Sequence, residues 1–110
     1  MSLKICVVST PVFKLGGTGL GGYGGLEQIA WLSAKGLAEL GHQVSLVAPD
    51  GSECPGVEII SIGPERQVNE AMAYNRYWQR LSEFDAIVDH SWSKFCMHGK
   101  REGWLKAPCL

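Results

Sequence analysis

The 110-residue chain has no apolar run of membrane-spanning length, no C-x-x-C pair and no excess of charge of either sign. The first absence excludes a transmembrane helix, which takes about 20 consecutive apolar residues. The second leaves the four cysteines, Cys6, Cys54, Cys96 and Cys109, without a metal-finger or disulfide framework. Cys96 and His98 form a C-x-H triplet, but no second ligand pair stands at finger spacing, so no metal is expected. A formal net charge of −1 offers no electrostatic case for nucleic acid or an anionic membrane surface. The late basic cluster of Lys94, Lys100, Arg101 and Lys106 reads as a solvated face. No Gly-Lys-Ser/Thr follows a glycine run, which excludes a P-loop. No G-x-S-x-G elbow is present to carry a Ser-His-Asp triad. The chain opens directly on an apolar strand pattern rather than a charged-then-apolar leader. Together with the scattered cysteines this points to a reducing, cytoplasmic setting.

What the chain does have is glycine in one place. Seven of the ten residues from Gly16 to Gly25 are glycine, so backbone amides there can approach a ligand unshielded by a Cβ. Leu3-Lys4-Ile5-Cys6-Val7-Val8-Ser9 before the loop is the run of a strand buried on both faces, with Cys6 packed as a small hydrophobe. Leu26 to Leu40 after it carries Leu26, Ile29, Ala30, Leu32, Ala34 and Leu37 at helical spacing and is stopped by Gly41. A glycine loop opening a helix aims free N–H groups and the positive end of the helix dipole at one spot, an anion site suited to phosphate.

The alternation continues. Gln43–Ala48 and Val57–Ile62 read as strands, Glu65–Leu81 as a helix burying Val68, Met72, Asn75 and Trp78, and Phe84–Asp89 as a fourth strand. Ser91–Lys100 is ambiguous and fits a short helix. Ala107-Pro108-Cys109-Leu110 looks like the opening of another strand. Such a pattern implies an α/β domain, a Rossmann-like parallel sheet with flanking helices. Ligands of these sheets bind outside the carboxyl ends of the strands. The glycine loop, Asp50, Gly63 and Asp89-His90-Ser91-Trp92 therefore share one rim.

Two overlapping G-x-G-x-x-G matches, Gly17-Gly19-Gly22 and Gly19-Gly21-Gly24, raise a dinucleotide site with Asp50 as ribose ligand. The spacing argues against it. Six residues separate Ser9 from Gly16, and Asp50 lies about thirty residues beyond Gly19 where the fingerprint expects roughly twenty.

Gly24-Gly25-Leu26-Glu27, after a first strand and a glycine-bearing loop, resembles the Gly-Gly-x-Glu start of the first helix in GT-B glycosyltransferases. The likeness is to the large retaining group that includes glycogen and sucrose synthases. Gly36-Leu37-Ala38-Glu39-Leu40-Gly41-His42-Gln43-Val44 is similar to the passage into strand two of those enzymes. Asp85 to Trp92 is similar to their fourth strand, with His90 and Trp92 matching and Val88 and Ser91 replacing a histidine and an aspartate.

The resemblance implies that residues 1–110 are the incomplete N-terminal, acceptor-side half of a GT-B fold, with the donor-binding domain absent. It implies transfer of a sugar from a nucleotide-sugar to an acceptor with retention, without cofactor or metal, and inactivity of this piece alone. Gly22, Gly24 and Gly25 would contact the donor diphosphate, and Tyr23, His90 and Trp92 the donor or acceptor. No catalytic residue falls within the chain on this reading. Trp92 equally fits core filling, His90 the cap of the next turn, and Glu27 and His42 partners of the helix dipole. The alternatives are a dinucleotide-dependent oxidoreductase domain and a non-catalytic nucleotide-binding or regulatory module. Ending the sheet at strand four would leave an unpaired edge there, the expected seat of a homodimer, unless residues 91–110 cover it.

Overall fold

The computed structural model describes residues 2–12 and 25–110, and the side chains of Gly25 and Leu26 are not described. Most of the glycine loop, with Gly22, Tyr23 and Gly24, lies outside the described residues. The elements alternate as expected of an α/β chain: β1 Lys4–Val8, α1 Gly25–Glu39, β2 Gln43–Ala48, β3 Glu58–Ser61, α2 Glu70–Tyr77, a 3-10 helix Trp78–Glu83, β4 Ala86–Asp89 and α3 Cys96–Glu102. The strands form one sheet in the order β3-β2-β1-β4. All pairings are parallel, with Val8 level with Val47 on one side and Asp89 on the other. The four carboxyl ends thus lie on one rim.

The continuous apolar run of β1 is used on both faces. Cys6 and Val8 pack with Ile60, Tyr77, Leu81 and Cys96, under α2, the 3-10 helix and α3. Ile5 and Val7 pack with Val44, Leu46, Ala30 and Ala34, under α1. Ala30 and Ala34 let α1 lie close, whereas Ile29 and Leu32, expected in its apolar stripe, are about half exposed at 51% and 54%. Gly41, at φ +98°, ends the helix by donating its N–H to Ala38.

Helix α2 starts five residues later than its apolar spacing suggests. Asn69 is the reason: its side-chain oxygen accepts the N–H of Met72 at 2.8 Å and fixes the N-terminus. The inward stripe is Ala73, Tyr77 and Leu81, spaced by four, while Asn75 and Met72 point outward. The expected stripe through Met72, Asn75 and Trp78 was one position out of phase. Trp78 stays half-buried and meets Trp104 edge-on at 5.5 Å.

The unpaired edge expected on β4 is not there. The N–H groups of Ile87 and Asp89 donate to Pro108 and Leu110 at 2.9 and 2.8 Å, and Cys109 bridges Ile87 in parallel register. Residues 108–110 pair with β4 through an isolated bridge rather than a strand, and they cover the β4 edge on which the homodimer expectation rested. A second correction concerns the cysteines. Cys96 and Cys109 form a disulfide that ties the start of α3 to this segment, while Cys6 and Cys54 are free and buried. Sequence separation alone had shown no pairing. Among the described residues no helix is long and apolar enough to cross a membrane.

Candidate functional site

The carboxyl rim is assembled from three pieces: Ser9-Thr10-Pro11 after β1, the first turn of α1, and the turn His90–Lys94 after β4. The Thr10 hydroxyl donates to the Glu27 carboxylate, and both residues are buried. This pair ties the exit of β1 to the first turn of α1, where the helix dipole also favours a carboxylate. Gly25 is the first residue of that helix.

Side chains wire the turn after β4. Asp89 Oδ1 accepts the N–H of Ser91 at 2.8 Å, and the Ser91 hydroxyl accepts that of Lys94 at 3.2 Å. The Glu70 carboxylate accepts from the backbones of Trp92 and Ser93 at 2.8 and 2.6 Å. Lys94 adopts φ +52°, and its ammonium bonds the backbone carbonyl of Asp89. His90 donates its N–H to Val8 at 2.8 Å, which carries the pairing one residue past the strand.

Three buried side-chain atoms here have no hydrogen-bond partner among the described residues: Ser9 Oγ, Asp89 Oδ2 and His90 Nε2. Ser9 and Asp89 are 2% and 3% exposed, and they close adjacent strands. Buried polar atoms are rarely left unmade in folded proteins, which singles out these three at the rim. Beside Ser9 lies a cavity of about 10 Å³, lined also by Tyr77, Ser91 and Phe95. That is the room one water needs.

Electrostatics sharpen the picture around Asp89. Burial, with Asp89 adding, pushes the Cys6 thiol and the Tyr77 hydroxyl far above their ordinary values, so both stay protonated. The imidazole of His90 is held below its ordinary value by burial first and Lys94 second, with Asp89 opposing. It sits in the fold as a neutral ring.

The predicted site residues divide. His90 reaches the rim half-buried, with its Nε2 unpartnered among the described residues. Trp92 is 77% exposed, so core filling is excluded for it, and its backbone N–H donates to Glu70. The cap of the turn is Asp89, not His90. Asp50 is exposed and its Oδ1 accepts the N–H of Gly63 at 3.0 Å. Away from the rim, His42 Nδ1 accepts the N–H of Leu3 at 3.1 Å, a structural tie at the amino end of the sheet. Ser9 and Thr10 were missed by sequence reasoning, and Asp89 was placed on the rim without a role. The available signal for Asp89 was alternation: two positions after Ile87 in an apolar strand, it must face the same interior.

A larger cavity of 460 Å³ opens at the opposite end, between Lys4, His42, Ser45, Glu58 and Arg80. It faces the amino ends of the strands, where α/β sheets do not place their ligands. No protein-family profile matches the chain, and no curated protein matches it.

Proposed function

We propose that this chain is the N-terminal, acceptor-side domain of a retaining GT-B glycosyltransferase, acting on a nucleotide-sugar and a hydroxyl acceptor in the cytoplasm. The observation that carries the reading is the pair of unpartnered buried atoms, Ser9 Oγ and His90 Nε2, at the carboxyl ends of β1 and β4 beside the start of α1. It stands next to the Gly-Gly-Leu-Glu motif and the His90–Trp92 segment that carry the resemblance.

In this reading the amides of Gly22, Gly24 and Gly25 face the donor diphosphate. A departing nucleoside diphosphate gains negative charge in the transition state, and aimed amides stabilise it without reorganising. His90, neutral and half-buried, offers a hydrogen bond to a sugar hydroxyl, and the exposed Trp92 offers an apolar face to a sugar ring, a role the reading also gives to Tyr23. The donor-binding domain supplies the cationic groups, so the 110-residue chain by itself turns over no nucleotide-sugar. The dinucleotide alternative is disfavoured by spacing, since Asp50 lies about thirty residues beyond Gly19 where the fingerprint expects roughly twenty.

The test is titration of the chain with UDP, GDP and NAD, read by amide NMR. A nucleoside diphosphate is expected to shift Ser9, Thr10, Gly25 to Gln28 and His90, with Ser9→Ala weakening the response. NAD shifts that extend to Asp50 would replace this reading with the oxidoreductase one. Silence toward all three ligands fits both a non-catalytic module and a half-site that needs the donor-binding domain.

A further inference from the structure

Asp89 has a second neighbourhood that the proposed transfer reaction does not use. The Asp89 carboxylate and the sulfurs of Cys96 and Cys109 offer one ligand atom each, and these all lie within 4.8 Å of one another. They come from three separate elements: the end of β4, the start of α3, and the 107–110 segment paired beside β4. In the structure the two sulfurs are joined as a disulfide.

We propose that the reduced, dithiol form of this cluster is a binding site for a divalent metal of the zinc class, held by Asp89 Oδ2, Cys96 Sγ and Cys109 Sγ. Two thiolates and a carboxylate oxygen are a donor set that zinc accepts, at about 2.3 Å to sulfur and 2.0–2.2 Å to oxygen. Ligand atoms around one such ion stand well within 4.8 Å of each other.

The independent observation is Asp89 itself. It is 3% exposed, and its Oδ2 has no partner among the described residues. The nearby ammonium of Lys94 is directed to the Asp89 backbone carbonyl, not to the carboxylate. Cys6 and Tyr77, whose protons are held on by burial first and by the Asp89 charge second, stay neutral. A buried carboxylate oxygen without a hydrogen bond or cation is costly, and a metal ion on that oxygen removes the cost. Cys96 is fully buried but Cys109 is only half-buried, so a fourth position is open to water from the Cys109 side.

The chemistry balances with named reactants. A phosphine and water convert the disulfide to two thiols, the phosphine leaving as its oxide. The metal then displaces the two thiol protons as both sulfurs ligate it. Either state clamps residues 107–110 to α3, by a covalent bond in one and by a shared ion in the other. Metal and disulfide are mutually exclusive occupants of the same sulfurs.

The experiment uses the whole chain, reduced with a phosphine, freed of it without oxygen, and titrated with Co²⁺ and then Zn²⁺. Cobalt should give a thiolate charge-transfer band and intense visible ligand-field bands saturating at one ion per chain, and zinc should bleach them while releasing about two protons per ion. The unreduced chain should show none of this. Asp89→Asn, which keeps both sulfurs and the side-chain shape, should weaken zinc at least tenfold, and Cys109→Ser should abolish the charge-transfer band. Far-UV circular dichroism establishes that each variant is folded. Should Asp89→Asn fail to fold, Cys109→Ser at its half-buried position carries the test. Absence of the band in the reduced chain, its persistence unweakened in Asp89→Asn, or saturation at half an ion per chain would each overturn the site.

Discussion

The two ends of the sheet are built from the same kinds of residues and treat them in opposite ways. At the amino end, Lys4 donates its N–H to Asp85 at 2.8 Å, Leu3 donates to His42, Ser45 donates to Glu58 at 2.6 Å, and Arg80 bridges Glu58 and Glu83 at 3.1 and 3.2 Å. Each of these polar groups is paired. At the carboxyl end, Ser9 and Asp89 are buried and His90 half-buried, and each keeps an atom that no described residue satisfies. A sequence selected only to fold would satisfy the buried end first, since an unmet buried group costs about 1–3 kcal/mol while an exposed one is met by water. The inversion separates the end that holds the domain together from the end that is ready for a partner.

The largest expected effect tests a buried side-chain pair that the carboxyl end does complete. Thr10→Val keeps the shape of the side chain but removes the hydroxyl that donates to Glu27. A hydrogen bond to a charged group contributes about 1.5–3 kcal/mol, and the loss leaves a carboxylate buried. Urea unfolding should show a fall of that size at unchanged slope. A fall below about 0.5 kcal/mol would mean that this rim behaves like solvated surface, and the contrast between the ends would collapse.

The amino end should respond far less. Arg80 is 38% exposed and its carboxylate partners are 55% and 44% exposed, so its ion pairs are screened and contribute about 0.2–1 kcal/mol. Glu58 also has a second partner. Its carboxyl is held below the ordinary range chiefly by the Ser45 hydroxyl, with Arg80 adding and burial opposing. Arg80→Ala should therefore cost a few tenths of a kcal/mol, shrinking further in about 1 M salt. A loss equal to that of Thr10→Val would show the amino end to be just as critical.

How far the sequence discloses this contrast differs between fold and site. The parallel sheet was legible because β1 and β2 are short, continuous apolar runs separated by one strong helix signal. Helix α2 was legible in existence but not in phase. Its inward residues include Ala73 and Tyr77, a small residue and a polar-tipped one, whereas Met72 and Trp78 look more hydrophobic and set the wrong stripe. Its start depended on an Asn69 cap that competes with the Pro64 turn signal upstream. The disulfide was illegible, because a separation of 13 residues acquires meaning only once α3 and the 107–110 segment both dock beside β4. His90 and Trp92 could be placed on the rim by motif. That Asp89 is buried and one of its oxygens unmet could not, because this depends on which residues close over it.

The smallest expected effect is a pH dependence centred on His90. Burial and Lys94 lower the affinity of its imidazole for a proton in the fold, and Asp89 raises it by less. An unfolded chain exposes the ring, which then takes a proton near its ordinary value of about 6.5. Below that value the unfolded state binds more protons at this position than the folded one, so stability rises with pH across the window. The contribution is fully present above the ordinary value and is lost as the pH falls through and beneath it. Because the ring is half-buried and water screens it, the slope should be shallow. His90→Gln removes the titration and keeps a hydrogen-bonding side chain. Urea midpoints of the two proteins should run parallel above neutrality and converge or cross as the solution is acidified, with the wild type falling faster; carboxylate titrations common to both cancel in the difference. If the wild type instead falls more slowly than the variant, Asp89 outweighs burial and Lys94, and His90 is a charged partner of that carboxylate. The carboxyl end would then be internally neutralised in acid, and its difference from the amino end would shrink to Ser9 alone.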